Sequence, residues 1–266
     1  MTALAGFLLA SKGHLAFGTL LATLAGTALI IASACVFNNY LDREIDKKMD
    51  RTKNRALVTG KISVSAAIIY ACVLGLLGFW LLAAYTNAIT VLVGVVGMFS
   101  YVVLYGYFKR TSVHGTLVGS ISGATALVAG YTAVTGRFDR LALLLFLVMA
   151  VWQMPHFYAI GVYRLKDYKE AGLPILPVKR GVRATKKQIL IYIVLFALVA
   201  CSLTVFGYAG YVYLAAMIII SALWVRTAAK GFKAKDDIKW GKQVFGFSLL
   251  ALLLFSLMIS VTHYVP

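Results

Sequence analysis

Residues 15–40 read LAFGTLLATLAGTALIIASACVFNNY, and the chain runs on as LDREID to residue 46. The first 26 of these positions carry no charge, which exceeds the roughly 20 apolar residues needed to cross a bilayer's hydrocarbon core. The stretch therefore reads as a transmembrane helix that leaves the membrane through a polar, acidic end. Seven further runs share its character, at about 62–85, 88–108, 115–135, 138–163, 188–208, 209–226 and 243–265. Another apolar stretch, Thr2 to Ala10, is too short to span alone and reads as the tail end of a helix. Lipid offers no partners for loose backbone groups, so such runs must be helical. The expected fold is an all-α integral membrane bundle of eight full spans plus a short first helix. Residues 1–266 are expected to form one membrane-embedded domain, since no linker or low-complexity segment interrupts them.

Composition agrees. Hydrophobic residues make up 61% of the chain and charged residues 13%, against roughly 25% charged in soluble domains. The net charge of +17 raises the question of nucleic acid. The cations lie between apolar runs, however, so membrane topology accounts for them and no nucleic-acid partner is expected. Of 26 Lys and Arg residues, 23 fall in alternate connections: 41–61, Lys109 and Arg110, 164–187, and 226–242. Lys12, Arg137 and Arg140 fall on the opposite side. That asymmetry places the long loops in the cytoplasm. Eight of the nine acids share that side, with Asp139 the exception. Cys35, Cys72 and Cys201 sit inside apolar runs without metal-ligand spacing and read as small buried hydrophobes. Met1 to Ala10 lacks a basic n-region, so no cleavable signal peptide is expected.

Asn38, Asp42 and Asp46 are spaced by four at the cytoplasmic exit of the first full span. On a helix they share one face, while Asp50 drifts further round. Two carboxylates and an amide make a set of hard oxygen donors suited to magnesium, which takes one or two carboxylates plus phosphate oxygens. Arg51, Lys53 and Arg55 follow directly and offer partners for the remaining phosphate oxygens. The bland alternative is a charged helix exit whose acids pair with Lys47 and Lys48.

A second cluster lies on the fifth full span, in Trp152-Gln153-Met154-Pro155-His156. Pro155 removes a backbone donor and is expected to kink the helix. Gln153, His156, Tyr163 and Asp167 form a stripe, with Ile160 between them, leading to the cytoplasmic loop. There Lys166 and Asp167 offer a second phosphate and metal contact. His156 fits either a helix–helix hydrogen bond or a contact to a flat, cofactor-like substrate, including an iron ligand. For the tyrosines an interfacial belt is the default. The two acidic loops lie four spans apart, as a weak internal repeat with two half-sites facing one cavity would place them.

At these residues the chain resembles the UbiA superfamily of intramembrane aromatic prenyltransferases. Asn38-x-x-x-Asp42-x-x-x-Asp46 matches the superfamily's first aspartate-rich motif. Val36 to Asp46, Met49 to Arg55, Trp152 to His156, and Lys166-Asp167-Tyr168 through Leu176-Pro177-Val178 look closer to its protoheme IX farnesyltransferase (heme O synthase) subgroup. The similarity runs from about Gly6 to the C-terminus. The family has nine spans, and its first opens with a Lys-Pro-Gly segment; here that helix is represented by Ala5 to Gly13. Thr125-Ala126-Leu127 stands where the subgroup has a proline pair, and Asp167 is followed four residues on by Ala171, as in the heme subgroup.

The resemblance implies transfer of a farnesyl group from farnesyl diphosphate to a vinyl group of heme B, giving heme O and diphosphate at the inner face of a bacterial cytoplasmic membrane. It implies magnesium on Asn38, Asp42 and Asp46, with Lys166 and Asp167 completing the catalytic set. It also implies that Arg51, Lys53, Arg55, Gln153, His156 and Tyr163 bind substrate. Two alternatives stay open: a prenyltransferase acting on a quinone precursor or another ring, and an ion-coupled transporter.

Overall fold

The computed structural model describes residues 1–263. Those residues are helical, with no strand among them. In chain order the helices are α1 (Thr2–Ser11), α2 (Phe17–Asp46), α3 (Val64–Tyr85), α4 (Ala88–Phe99), α5 (Gly106–Thr111), α6 (Gly115–Thr135), α7 (Arg140–Tyr163), α8 (Leu165–Glu170), α9 (Leu176–Val205), α10 (Tyr211–Ala229) and α11 (Asp237–Val261). A π-helical stretch, Ser100–Tyr105, joins α4 to α5 so that Ala88–Thr111 forms one continuous span. Eight elements are long and apolar enough to cross a membrane, and α1 is the short apolar helix beside them. Their outer faces bear large exposed apolar side chains, among them Ile69, Leu76, Trp80, Leu198 and Val205. Water would penalise such a surface, and lipid does not.

Local chemistry sets the helix starts. The side chains of Ser63, Asn87 and Asp139 accept from the backbone N–H groups of Ala66, Thr90 and Ala142, three residues on, and Asp236 accepts from Ile238 and Lys239. Helix ends depart from the apolar runs where a helix passes into the headgroup layer. Thus α2 continues to Asp46, carrying the acidic motif on the helix, and α9 begins at Leu176, twelve residues before its apolar run. Gly181 breaks α9 with φ +78°, a conformation that favours glycine. Pro155 lies inside α7, which runs unbroken from Arg140 to Tyr163.

Helix α2 packs on α3, and the corresponding pair four spans on, α7 and α9, packs likewise. Helix α6 lies between α4 and α7, and α1 sits against α6 and α11. The α1–α6 approach needs glycine: a Cβ on Gly6 would meet the Leu127 carbonyl oxygen, and one on Gly130 the Ala3 carbonyl oxygen. Ser33 Oγ donates to the Ala71 carbonyl at 2.7 Å across α2 and α3. Such a bond contributes about 0.6 kcal/mol between membrane helices. The dense core sits in the second half, around Leu145, Ile193, Phe196, Trp224 and Phe255. Cys35 and Cys72 correct the sequence expectation: both are exposed on helix surfaces, Cys35 toward a cavity, because the apolar surroundings of these helices are only partly protein.

Candidate active site

Asn38, Asp42 and Asp46 lie buried on one face of the C-terminal end of α2, as their spacing requires. Asn38 Nδ2 donates to Asp42 Oδ2 at 2.9 Å. The connection after α2 folds back beneath it: Thr52 Oγ1 donates to the Asp46 carbonyl at 3.0 Å, and Met49 and Thr52 are buried. That turn delivers Arg55, whose guanidinium donates to Asp46 Oδ2 at 2.6 Å. Lys53 points the other way and pairs at 2.7 Å with exposed Asp50. A hydrogen bond from Lys53 holds the Asp50 carboxyl below its ordinary range, with the more distant Lys166 charge acting in the same direction.

Two cations from α5 complete the cluster. Lys109 Nζ donates to Asn38 Oδ1 and Asp42 Oδ2, each at 2.5 Å, and Arg110 donates to Asp42 Oδ1 at 2.9 Å. Lys109 is 8% exposed, so this ion pair is desolvated and bound tightly in place. The π-helical stretch before α5 changes the helical register that presents these side chains. In the sequence Lys109 and Arg110 stand out only as topology-setting cations. Their one local signal was a pair of cations directly after a span bearing Tyr101 and Tyr105.

The second half-site is built by α7 and α8. Asp167 is 8% exposed, and its Oδ2 is buried with no hydrogen-bond partner. Arg164 lies 3.8 Å from that oxygen, too far for a hydrogen bond. Burial pushes the neighbouring Tyr168 hydroxyl's pKa up, and the positive charge of Arg51 opposes the shift. The loops after α2 and α7 thus lie within electrostatic reach of each other. Lys166 is not drawn in: its side chain is 82% exposed and pairs with Glu170 at 3.9 Å.

Two adjoining cavities lie among the helices that carry these groups. One, of about 250 Å³, lies between α2, α4 and α6 and is lined by apolar groups including Ile30, Leu82 and Met98, together with Thr125 and Ala126. The other, of about 210 Å³, lies between the π-helical stretch, α6 and α7 and is lined by Tyr105, Gln153, Phe157 and Tyr158, with Tyr168 and Pro177 at one end. Tyr101, Ser122 and Gly123 line both. Tyr101 and Tyr105 stack at 5.6 Å, and Lys109 Nζ sits 5.0 Å from the Tyr105 ring centre, tying the cation cluster to the cavity wall. Gln153 is buried and donates to the carbonyls of Ser120 and Met149. His156 makes a helix–helix contact with Ser248 of α11, and Tyr163 packs edge-on against Phe245 at 5.8 Å.

The donor set suits a hard divalent cation. Among the described residues no three His, Cys, Asp or Glu side chains are gathered as a ready-made metal site. Magnesium does not need one, because it takes one or two carboxylates and completes its shell with water and phosphate oxygens. The unpartnered Asp167 oxygen is the kind of buried acceptor that such a cation would satisfy.

A membrane-embedded helical bundle, with an amide–carboxylate face and an orphaned carboxylate above apolar cavities, defines an intramembrane prenyltransferase. The chain belongs to the UbiA prenyltransferase family, whose profile matches residues 1–259. It is 48% identical to the protoheme IX farnesyltransferase of Citrobacter koseri, over all of this chain and 90% of that protein. It is 47% identical to the protoheme IX farnesyltransferase of Shigella flexneri, with the same coverage. Among solved structures, the UbiA homolog from Aeropyrum pernix K1 shares the fold, with a TM-score of 0.80 at 18% identity over 98% of this chain and 94% of that one. The Archaeoglobus fulgidus UbiA homolog bound to GPP and Mg2+ aligns with a TM-score of 0.64 at 18% identity, over 98% and 97% of the two chains.

Proposed function

We propose that this protein joins the farnesyl group of farnesyl diphosphate to a vinyl carbon of heme B at the cytoplasmic face of a bacterial inner membrane. Water adds to the heme side, so farnesyl diphosphate, heme B and water give heme O and diphosphate. The observation that carries the prenyl chemistry is the buried Asn38–Asp42 pair held by Lys109 beside the aromatic wall of two adjoining cavities. The protoheme IX farnesyltransferases at 48% identity support heme as the acceptor.

The obstacle is charge building on the leaving diphosphate. Arg55, Lys109 and Arg110 are held against Asp46 and Asp42, with Arg51 in the same connection as Arg55, and preorganised cations stabilise charge that develops beside them. Asn38, Asp42, Asp46 and Asp167 would hold magnesium, which supplies Lewis-acid neutralisation of the diphosphate when bound. Lys109 donates to both Asn38 and Asp42, and only the Asp42 carboxylate is charged; its ammonium would compete with a magnesium ion held by these residues for the same oxygens and be left to a phosphate oxygen. The faces of Tyr101 and Tyr105 stabilise the allylic cation left behind. The apolar cavity takes the isoprenoid tail and keeps water from capturing the cation early. Gln153, His156 and Tyr163 form the acceptor side, with Trp152 stacked on the imidazole at 4.8 Å.

The test is acceptor choice. Membranes carrying the protein are supplied with magnesium and farnesyl diphosphate, together with heme B or 4-hydroxybenzoate. Heme O is expected from the first, and no prenylated product from the second. Prenylated 4-hydroxybenzoate without heme O would overturn the assignment of heme.

A further inference from the structure

Ser248 lies on α11 opposite His156 of α7, with its Oγ 2.7 Å from the imidazole Nδ1. The same Oγ lies 2.5 Å from the Phe245 carbonyl oxygen, one helical turn back. A serine hydroxyl has one proton, and a carbonyl can only accept it. Once that proton points at Phe245, Ser248 can only accept from His156. Nδ1 must then carry the imidazole proton, which leaves the lone pair on Nε2. Among the described residues Nε2 has no hydrogen-bond partner. The arrangement is also held rigid. The Trp152 indole donates to the Ser248 carbonyl at 2.8 Å while its ring stacks on His156, and the Phe245 ring lies 4.9 Å from the imidazole. Gln153 and Phe157, which flank His156 along α7, line the second cavity; the imidazole itself is half-buried and packs on the α11 side of α7.

We propose that Ser248 is a positioning residue that fixes the His156 tautomer and makes Nε2 an axial base for the iron of the heme acceptor. The inference rests on heme being the acceptor. It follows a general pattern in which a metal-binding imidazole donates its other N–H to a nearby oxygen, fixing the ring and raising its basicity. Iron held at this point would anchor the porphyrin plane against the α7–α11 wall and fix which edge meets the prenyl cation.

Resonance Raman spectroscopy of the full chain in lipid nanodiscs, loaded with ferrous heme B, tests the inference. The wild type is expected to show an iron–imidazole stretch that shifts with 15N-labelled histidine and vanishes in His156→Ala. In Ser248→Ala the Nδ1 proton loses its acceptor, so the band moves to lower wavenumber and heme affinity falls roughly 10–100-fold. Ser248→Cys, which keeps the volume but offers a poor acceptor, is expected to shift the band the same way, and Ser248→Thr to restore it. A band that survives in His156→Ala, or one unmoved in both Ser248→Ala and Ser248→Cys, would overturn the inference while leaving heme as the acceptor. Failure of the wild type to bind heme B at all would overturn the acceptor assignment, and this inference with it.

Discussion

Lys109 and Asp42 meet at 2.5 Å although 67 residues separate them in sequence, and Asn38 shares the same ammonium. The contact ties the C-terminal end of α2 to α5 and places a fixed positive charge beside the cavity wall. Lys109→Met is expected to leave the fold intact, since Arg110 still pairs with Asp42 at 2.9 Å. Loss of the ammonium removes one preorganised charge from the departing diphosphate, so heme O formation should fall on the order of 10²-fold. Single-turnover assays at saturating farnesyl diphosphate measure this directly; an unchanged rate would show that Lys109 serves the ion pair alone.

Arg55 and Lys53 are two residues apart yet face opposite ways. Arg55 holds buried Asp46, whereas Lys53 holds exposed Asp50. Arg55→Ala is therefore expected to raise the KM for farnesyl diphosphate and lower turnover, while Lys53→Ala behaves as wild type. Parallel titrations of the two variants with farnesyl diphosphate check the contrast, and equal losses would contradict it.

Close packing of α1 on α6 depends on Gly130, where a Cβ would run into the Ala3 backbone. Backbone cannot swing aside as a flexible side chain can, so Gly130→Ala should force the helices apart. A loss of about 1–3 kcal/mol is expected from such overpacking. Thermal unfolding in detergent reads the change, and Gly246→Ala, at a position with open space around it, is the matched control.

The bundle was legible because lipid leaves so few choices: uncharged runs of span length must be helices. The α2 face was legible as well, since a spacing of four places Asn38, Asp42 and Asp46 together once the helix is known to reach Asp46. Lys109 and Ser248 were not. Each lies near or within an apolar run, and each acquires its partner only through helix packing across 67 and 92 residues. The contrast between Lys53 and Arg55 was hidden too, because the Thr52 hydroxyl, bonded to the Asp46 carbonyl, sets the turn that separates them. The outward placement of Lys166 had a local signal, a Glu four residues on at Glu170, which competes for the ammonium.

The most direct measurement is heme O formation by Asp42→Asn in membranes supplied with magnesium, farnesyl diphosphate and heme B. The substitution keeps size and shape but removes the charge that faces Lys109 and Arg110. The variant is expected to insert at the wild-type level and to lose heme O formation by at least on the order of 10²–10³-fold. Near-wild-type heme O from that variant would contradict the account.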